Sequence, residues 1–289
     1  AQIRRFAPDV NFGVAPLLFM QVLYGQFLYT SSVLMAVYWL AVVGLVIAAY
    51  GSAYIYDFRY PSLGGLKTVF IGVTTACLLA TAFIFTNNMT LMLNPETWTG
   101  YFDNPGGTIL NLSDPTVLPR FLHIVASSTA LGGLALALIY SCRTSDPQAT
   151  HWIRHGMNWY AFSTVVQMAL GLWFLTALPE RISHLLLGGS LPHTLVFAAG
   201  ATLGIFSISN ALRYNVRTTA IISVTTISLM VYLRDMVRDA YLSPYFQVSD
   251  RVVTGEYLPF VLFVLTLAAG LVIVAWMLKT ASTDTEVRS

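Results

Sequence analysis

Charge is scarce in this chain: only 10% of its 289 residues are Asp, Glu, Lys or Arg, against 56% hydrophobic side chains and a mean hydropathy of +0.68. A soluble domain carries roughly 25% charge, so this apolar surface cannot be hidden inside one water-soluble core. The uncharged stretches run over 10–56, 68–95, 121–142, 156–179, 182–212, 218–233 and 257–278. With no Asp or Glu inside them, an ion-coupled transporter is disfavoured, because such machines use buried carboxylates. Cysteine is confined to Cys77 and Cys142, without CxxC or CxxCH, which excludes a disulfide framework and covalent haem attachment within the chain. No basic stripe interleaved with aromatics is present and the net charge is only +2, so nucleic acid is not an expected partner. No motif recurs at a fixed period.

What remains is a set of apolar runs, most of them matching the ~20 residues a spanning helix needs. The run 10–56 is too long for one helix: it would reach ~70 Å against a hydrocarbon core of ~30 Å, so it is predicted to fold back near Tyr29-Thr30-Ser31-Ser32. The predicted fold is an all-α polytopic membrane helix bundle. It is one transmembrane domain over 1–289 with eight spans, at about 12–31, 33–55, 68–92, 118–142, 156–177, 190–212, 216–236 and 257–278. Ten Lys and Arg residues then fall on one side, while Arg120, Arg181, Arg234, Arg238 and Arg251 fall on the other, which predicts that both termini are cytoplasmic. The two longest connections, 93–117 and 235–256, lie outside and carry Trp98, Tyr101, Tyr241, Tyr245 and Phe246, as an interfacial belt or docking surface would. Within the first, Gly106–Leu112 reads as a loop or short interfacial helix. The sequons at Asn88 and Asn111 carry weight only in a secretory compartment.

His123 stands about a turn inside its uncharged run. At membrane depth a histidine needs a metal, an ion pair or a hydrogen bond. In the predicted topology the fourth and sixth spans both run inward from the outer face, so His123 and His193 sit at similar depth, the arrangement of a bis-histidine b-type haem. His155 and His151 belong to the inner face. His184, in the outer loop Pro179–Ser190, competes as second ligand but lacks a fixed helical direction, and Met157 or Met168 would be a thioether alternative. Gly132 and Gly133 after His123, and Gly200 and Gly204 after His193, leave room for a flat ligand, although small residues equally serve close helix packing. Arg120, Arg234 and Arg238 are candidates to fork onto haem propionates, with Asp235, Asp239 or lipid phosphates as their other partners. Gln21, Gln26, Asn158 and Gln167 could hydrogen-bond a quinone carbonyl, but interhelical bonding is their commoner use, so they locate no quinone site.

The segment Phe121-Leu122-His123-Ile124-Val125-Ala126-Ser127, with Gly132 nine residues after the histidine, resembles the haem-b helix of cytochrome bd-type quinol oxidase subunit I. Asn87 and Met89 at the end of the preceding helix, Asp114-Pro115 before the histidine helix, and Asn11-Phe12-Gly13-Val14 with Met20-Gln21 through Tyr24-Gly25 are similar to that family too. The resemblance covers roughly 11–175. It implies that His123 is an axial ligand of one low-spin haem b near the outer face of a bacterial inner (cytoplasmic) membrane. The family's second ligand is a methionine on a later helix; no methionine stands around Val196–Gly200, and His193, about a turn earlier, is the expected substitute. Other departures bear on activity. No counterpart of the family's first helix precedes Asn11, Gln21 stands where a glutamate would be, and the quinol-binding loop is replaced by the short Pro179–Ser190. Oxygen reduction is therefore not expected. The implied function is a membrane electron-transfer subunit of a respiratory complex, passing electrons between membrane quinol or quinone and a periplasmic c-type cytochrome. The alternative is a haem-free membrane anchor for a respiratory or multihaem cytochrome complex.

Overall fold

In an apolar medium every backbone N–H and C=O must be paired inside the protein, and uncharged runs of about 20 residues meet that requirement as helices, whose bonds lie within one segment. The computed structural model of the protein describes residues 23–143, 146–250 and 257–286, and no strand occurs among the described residues. Helical residues 23–34 (α1) lead to α2 (Ala36–Phe58), α3 (Lys67–Met92), α4 (Val117–Ser141) and α5 (Ala149–Ala177). The short α6 (Glu180–His184) and a π-turn (Leu185–Gly189) precede α7 (Leu191–Leu212), α8 (Val216–Leu242) and α9 (Tyr257–Glu286). Among the described residues seven helices, all but α1 and α6, are long and apolar enough to cross a membrane. The protein is a polytopic all-α membrane bundle. The first expected span, 12–31, lies mostly outside the described residues; the other seven match these helices apart from their ends.

Those ends differ where charge is tolerated by local partners. α5 begins at Ala149 rather than 156, with Arg154 placed over the Tyr214 ring at 5.6 Å. α8 continues to Leu242 rather than 236, because Arg238 pairs with Asp235 one turn earlier at 3.1 Å. A long cationic side chain keeps its stem on apolar surface and its head at the interface, so the helix outlasts its uncharged core.

The predicted fold-back near Tyr29–Ser32 is not where the chain breaks. Thr30, Ser31 and Ser32 are helical, their hydroxyls donating to the carbonyls of Gln26 and Leu28 at 2.6–3.0 Å, which is how hydroxyl side chains are accommodated within a helix. The interruption comes at Met35. There the loop after α3 enters the gap: Val37 N–H donates to the Gly107 carbonyl at 3.1 Å and Ile109 N–H to the Leu34 carbonyl at 3.1 Å. Gly106–Leu112 is thus a loop, as expected, with a structural task. It is pinned at its far end by Asn87, whose Oδ1 accepts from Asn111 N–H at 2.9 Å. Asn88 and Asn111, the two sequon residues, are both buried.

α1 to α8 belong to one unit, which ends at Phe246. Between helices in lipid there is little hydrophobic drive, so close approach through small residues does the work. α4 and α5 form an antiparallel pair whose seam holds Gly133, Ala137 and Gly156. A Cβ on Gly133 would lie 2.6 Å from the Gly156 carbonyl oxygen, so the two backbones nearly touch. α7 and α8 pair likewise, with Met230 filling the space above Gly200. Tyr160 and Ser223 join α5 to α8 through a buried hydroxyl pair at 2.7 Å, and Phe83 meets Phe121 edge to face between α3 and α4 at 5.4 Å. α9 belongs to a second unit. It is uncharged from Tyr257 to Met277, and its described side chains are all exposed.

Candidate functional site

His123 lies on the face of α4 that meets α5. Its Nδ1 is 3.0 Å from the Gln167 carbonyl oxygen, a bond that needs a proton on Nδ1 and so leaves Nε2 as the lone-pair nitrogen. The ring lies over Gly171, where an added Cβ would come within 3.2–3.3 Å of it, so any side chain there would displace the imidazole. A carbonyl accepting from one ring nitrogen fixes the ring's direction and tautomer, as it does for histidines that bind a metal through the other nitrogen. Against a ligand role stands the Gln167 side-chain amide, whose Nε2 is 3.4 Å from His123 Nε2, at the weak limit of a hydrogen bond.

His193, in the first turn of α7, has its Nδ1 2.7 Å from Ser190 Oγ. The Gln167 carbonyl can only accept and so fixes the His123 tautomer, whereas the Ser190 hydroxyl can donate to or accept from His193 Nδ1 and selects neither tautomer of that ring. The two histidines share no hydrogen bond with each other, and α4 and α7 both pack on α5. His184 is exposed on α6, with its ring against the Gly189 backbone. Met157 is fully buried in the core formed with Ala137, Tyr160 and Ala211, while Met168 faces Gly204 of α7. Among the described residues no group of three or more His, Cys, Asp or Glu is arranged to hold a metal ion. Gly132 is exposed and an added Cβ would meet nothing within 4 Å, so it belongs to an open face rather than to the α4–α5 seam. Arg238 is taken by Asp235 and lies over the Tyr24 ring at 4.9 Å; Arg234 is exposed between the charges of Arg120 and Arg238.

Arg120 is one turn nearer the start of α4 than His123 on the same face, its Cζ 5.0 Å from the Phe174 ring centre. It enters the wall of a pocket of about 760 Å³ built where α3, α5 and α8 end and α4 begins. Arg181 of α6, Tyr241 and Tyr245 supply further donors there, and Asp114 and Glu96 are its two carboxylates. Both carboxylates are engaged. Asp114 accepts from Thr116 N–H and Oγ1 at 2.8 and 2.6 Å and from Asn111 Nδ2 at 3.2 Å. Glu96 accepts from the Tyr245 hydroxyl at 2.8 Å, a bond that with some burial and the carboxylate's own charge holds this phenol above the ordinary tyrosine value. The Arg120 side chain, by contrast, makes no hydrogen bond among the described residues, and its Nε is enclosed without a partner.

No protein-family model, curated protein or solved structure matches the chain. The sequence marks Arg120 as a candidate but not the pocket around it: Tyr241 and Tyr245 fit an interfacial belt or a docking surface, Asp114-Pro115 the turn before the histidine helix, and Arg181 the outer loop Pro179–Ser190. The only signal available was their common placement at one set of span ends.

Proposed function

We propose that this chain is a membrane electron-transfer subunit that holds one b-type haem through His123 and passes electrons between membrane quinol and a periplasmic c-type cytochrome. The observation that carries this reading is the Nδ1 hydrogen bond to the Gln167 carbonyl at 3.0 Å, which selects the imidazole tautomer a metal requires. Gly171 leaves room for the ring beside α5, and Ser190 Oγ, 2.7 Å from His193 Nδ1, holds the second imidazole in place. A bound haem would supply one-electron chemistry. The protein's contribution is to orient the two imidazoles and to surround them with apolar helices that exclude water. The chain encodes no covalently attached c-type haem, so the electron acceptor is another polypeptide.

A haem-free anchor subunit is the second reading, favoured by one observation. The Gln167 amide already faces His123 Nε2 at 3.4 Å, which makes the histidine a satisfied interhelical hydrogen-bonding residue. Pyridine haemochrome analysis of the purified protein separates the two. The electron-transfer reading expects a reducible b-type absorbance that is lost in His123→Ala; purified wild-type protein without haem, or a variant spectrum equal to wild type, would sink it.

A further inference from the structure

Arg120 carries a positive charge into a partly enclosed pocket, where its side chain makes no hydrogen bond among the described residues. An enclosed charged donor without an acceptor is costly, and the usual remedy, an ion pair, is missing: neither Asp114 nor Glu96 bridges to Arg120 or Arg181 among the described residues. We infer that this pocket binds a phosphate group, the chemistry shared by an anionic phospholipid headgroup and free phosphate. A planar guanidinium forks onto phosphate oxygens, and Arg181 offers a second positive group in the same pocket. The Tyr241 hydroxyl is a further donor. The pocket sits at the ends of four apolar spans, the level at which lipid phosphates lie. Its two carboxylates, engaged but still negative, oppose a dianion more than a monoanion, so a phosphodiester headgroup is the better fit of the two sources. This inference goes beyond the electron-transfer reading and takes Arg120 away from the propionate role expected from the sequence.

The test uses the full chain purified in a neutral detergent and titrated with phosphatidylglycerol, phosphatidylcholine or inorganic phosphate. Bound lipid is counted by native mass spectrometry, and thermal unfolding is followed in parallel. Phosphatidylglycerol is expected to bind, with an affinity about tenfold or more lower in Arg120→Gln, the factor that follows from losing a charge-assisted hydrogen bond. Arg120→Lys, which keeps the charge but not the fork, is expected to recover part of the loss. The exposed Arg181→Gln carries the test if the Arg120 variants fail to fold, with a smaller loss expected. Stabilisation by inorganic phosphate without lipid binding supports the phosphate site and assigns it to free phosphate. Equal binding in wild type, Arg120→Gln and Arg181→Gln overturns the proposal. His123→Ala, which tests the haem reading, is expected to keep phosphatidylglycerol binding. If phosphatidylglycerol binding is lost with the haem absorbance in that variant, the lipid site is not independent of His123 and the phosphate proposal is overturned.

Discussion

Two adjacent glycines on α4 show how differently neighbouring residues are used. Gly133 faces α5 so closely that a Cβ would lie 2.6 Å from one backbone atom and 2.9 Å from another, while Gly132 has open space. Backbone cannot retreat as a flexible side chain can. Gly133→Ala is therefore expected to destabilise the bundle by about 1–3 kcal/mol, as overpacking does, and Gly132→Ala to leave it near wild type. Thermal unfolding in detergent checks the pair, and equal melting temperatures would contradict the close α4–α5 approach. In the sequence both glycines were equal candidates for a flat ligand or for packing, because spacing alone does not say which face meets a neighbour. The need of His123 for a partner was readable from its apolar surroundings. That its nearest partner is the Gln167 main-chain carbonyl was not, since this depends on the register of α4 against α5.

At the level of elements, the join between α1 and α2 depends on a loop some seventy residues further along the chain. Gly107 occupies the left-handed region at φ +70°, and its absent Cβ would stand 3.3 Å from Ala36 Cβ. Gly107→Ala combines that backbone cost, about 1–2 kcal/mol, with crowding against α2. The expected result is a lower melting temperature and faster proteolysis near Met35; Gly106→Ala, where φ is not in that region and only ordinary contacts arise, is the control. If both variants behave as wild type, the loop does not hold the break. Length arithmetic required the 10–56 run to be interrupted. The position of that interruption was missed by a few residues, because hydroxyl side chains that suggest a turn in isolation also bond back to helix carbonyls.

For the whole molecule, the Lys/Arg bias predicts that the end of α4 bearing Cys142 faces the cytoplasm, with the Arg120 pocket at the opposite face. Cys142 is exposed and Cys77 is only partly so, within α3. A membrane-impermeant maleimide is expected to label Cys142 in inside-out vesicles and not in right-side-out ones. The reverse pattern would invert the topology and place the pocket in the cytoplasmic leaflet. The pocket itself draws on segments from Thr90 to Tyr245. Each segment looked like ordinary interfacial sequence, and none carries a motif.

Composition and run length by themselves determined the class of this protein, because continuous apolar runs of about 20 residues satisfy their backbone in an apolar medium as spanning helices, whereas a barrel needs short alternating segments. They also determined that His123, inside an uncharged run, would need a partner, and they marked Arg120 beside it as a candidate anion-binding residue. The tertiary structure decided what those residues meet: the seam that orients His123, and the convergence of span ends that leaves Arg120 in a pocket whose carboxylates are bonded to other groups. The reason is physical. Burial cost is a property of one residue in one medium, whereas a partner depends on which faces of distant helices come into register.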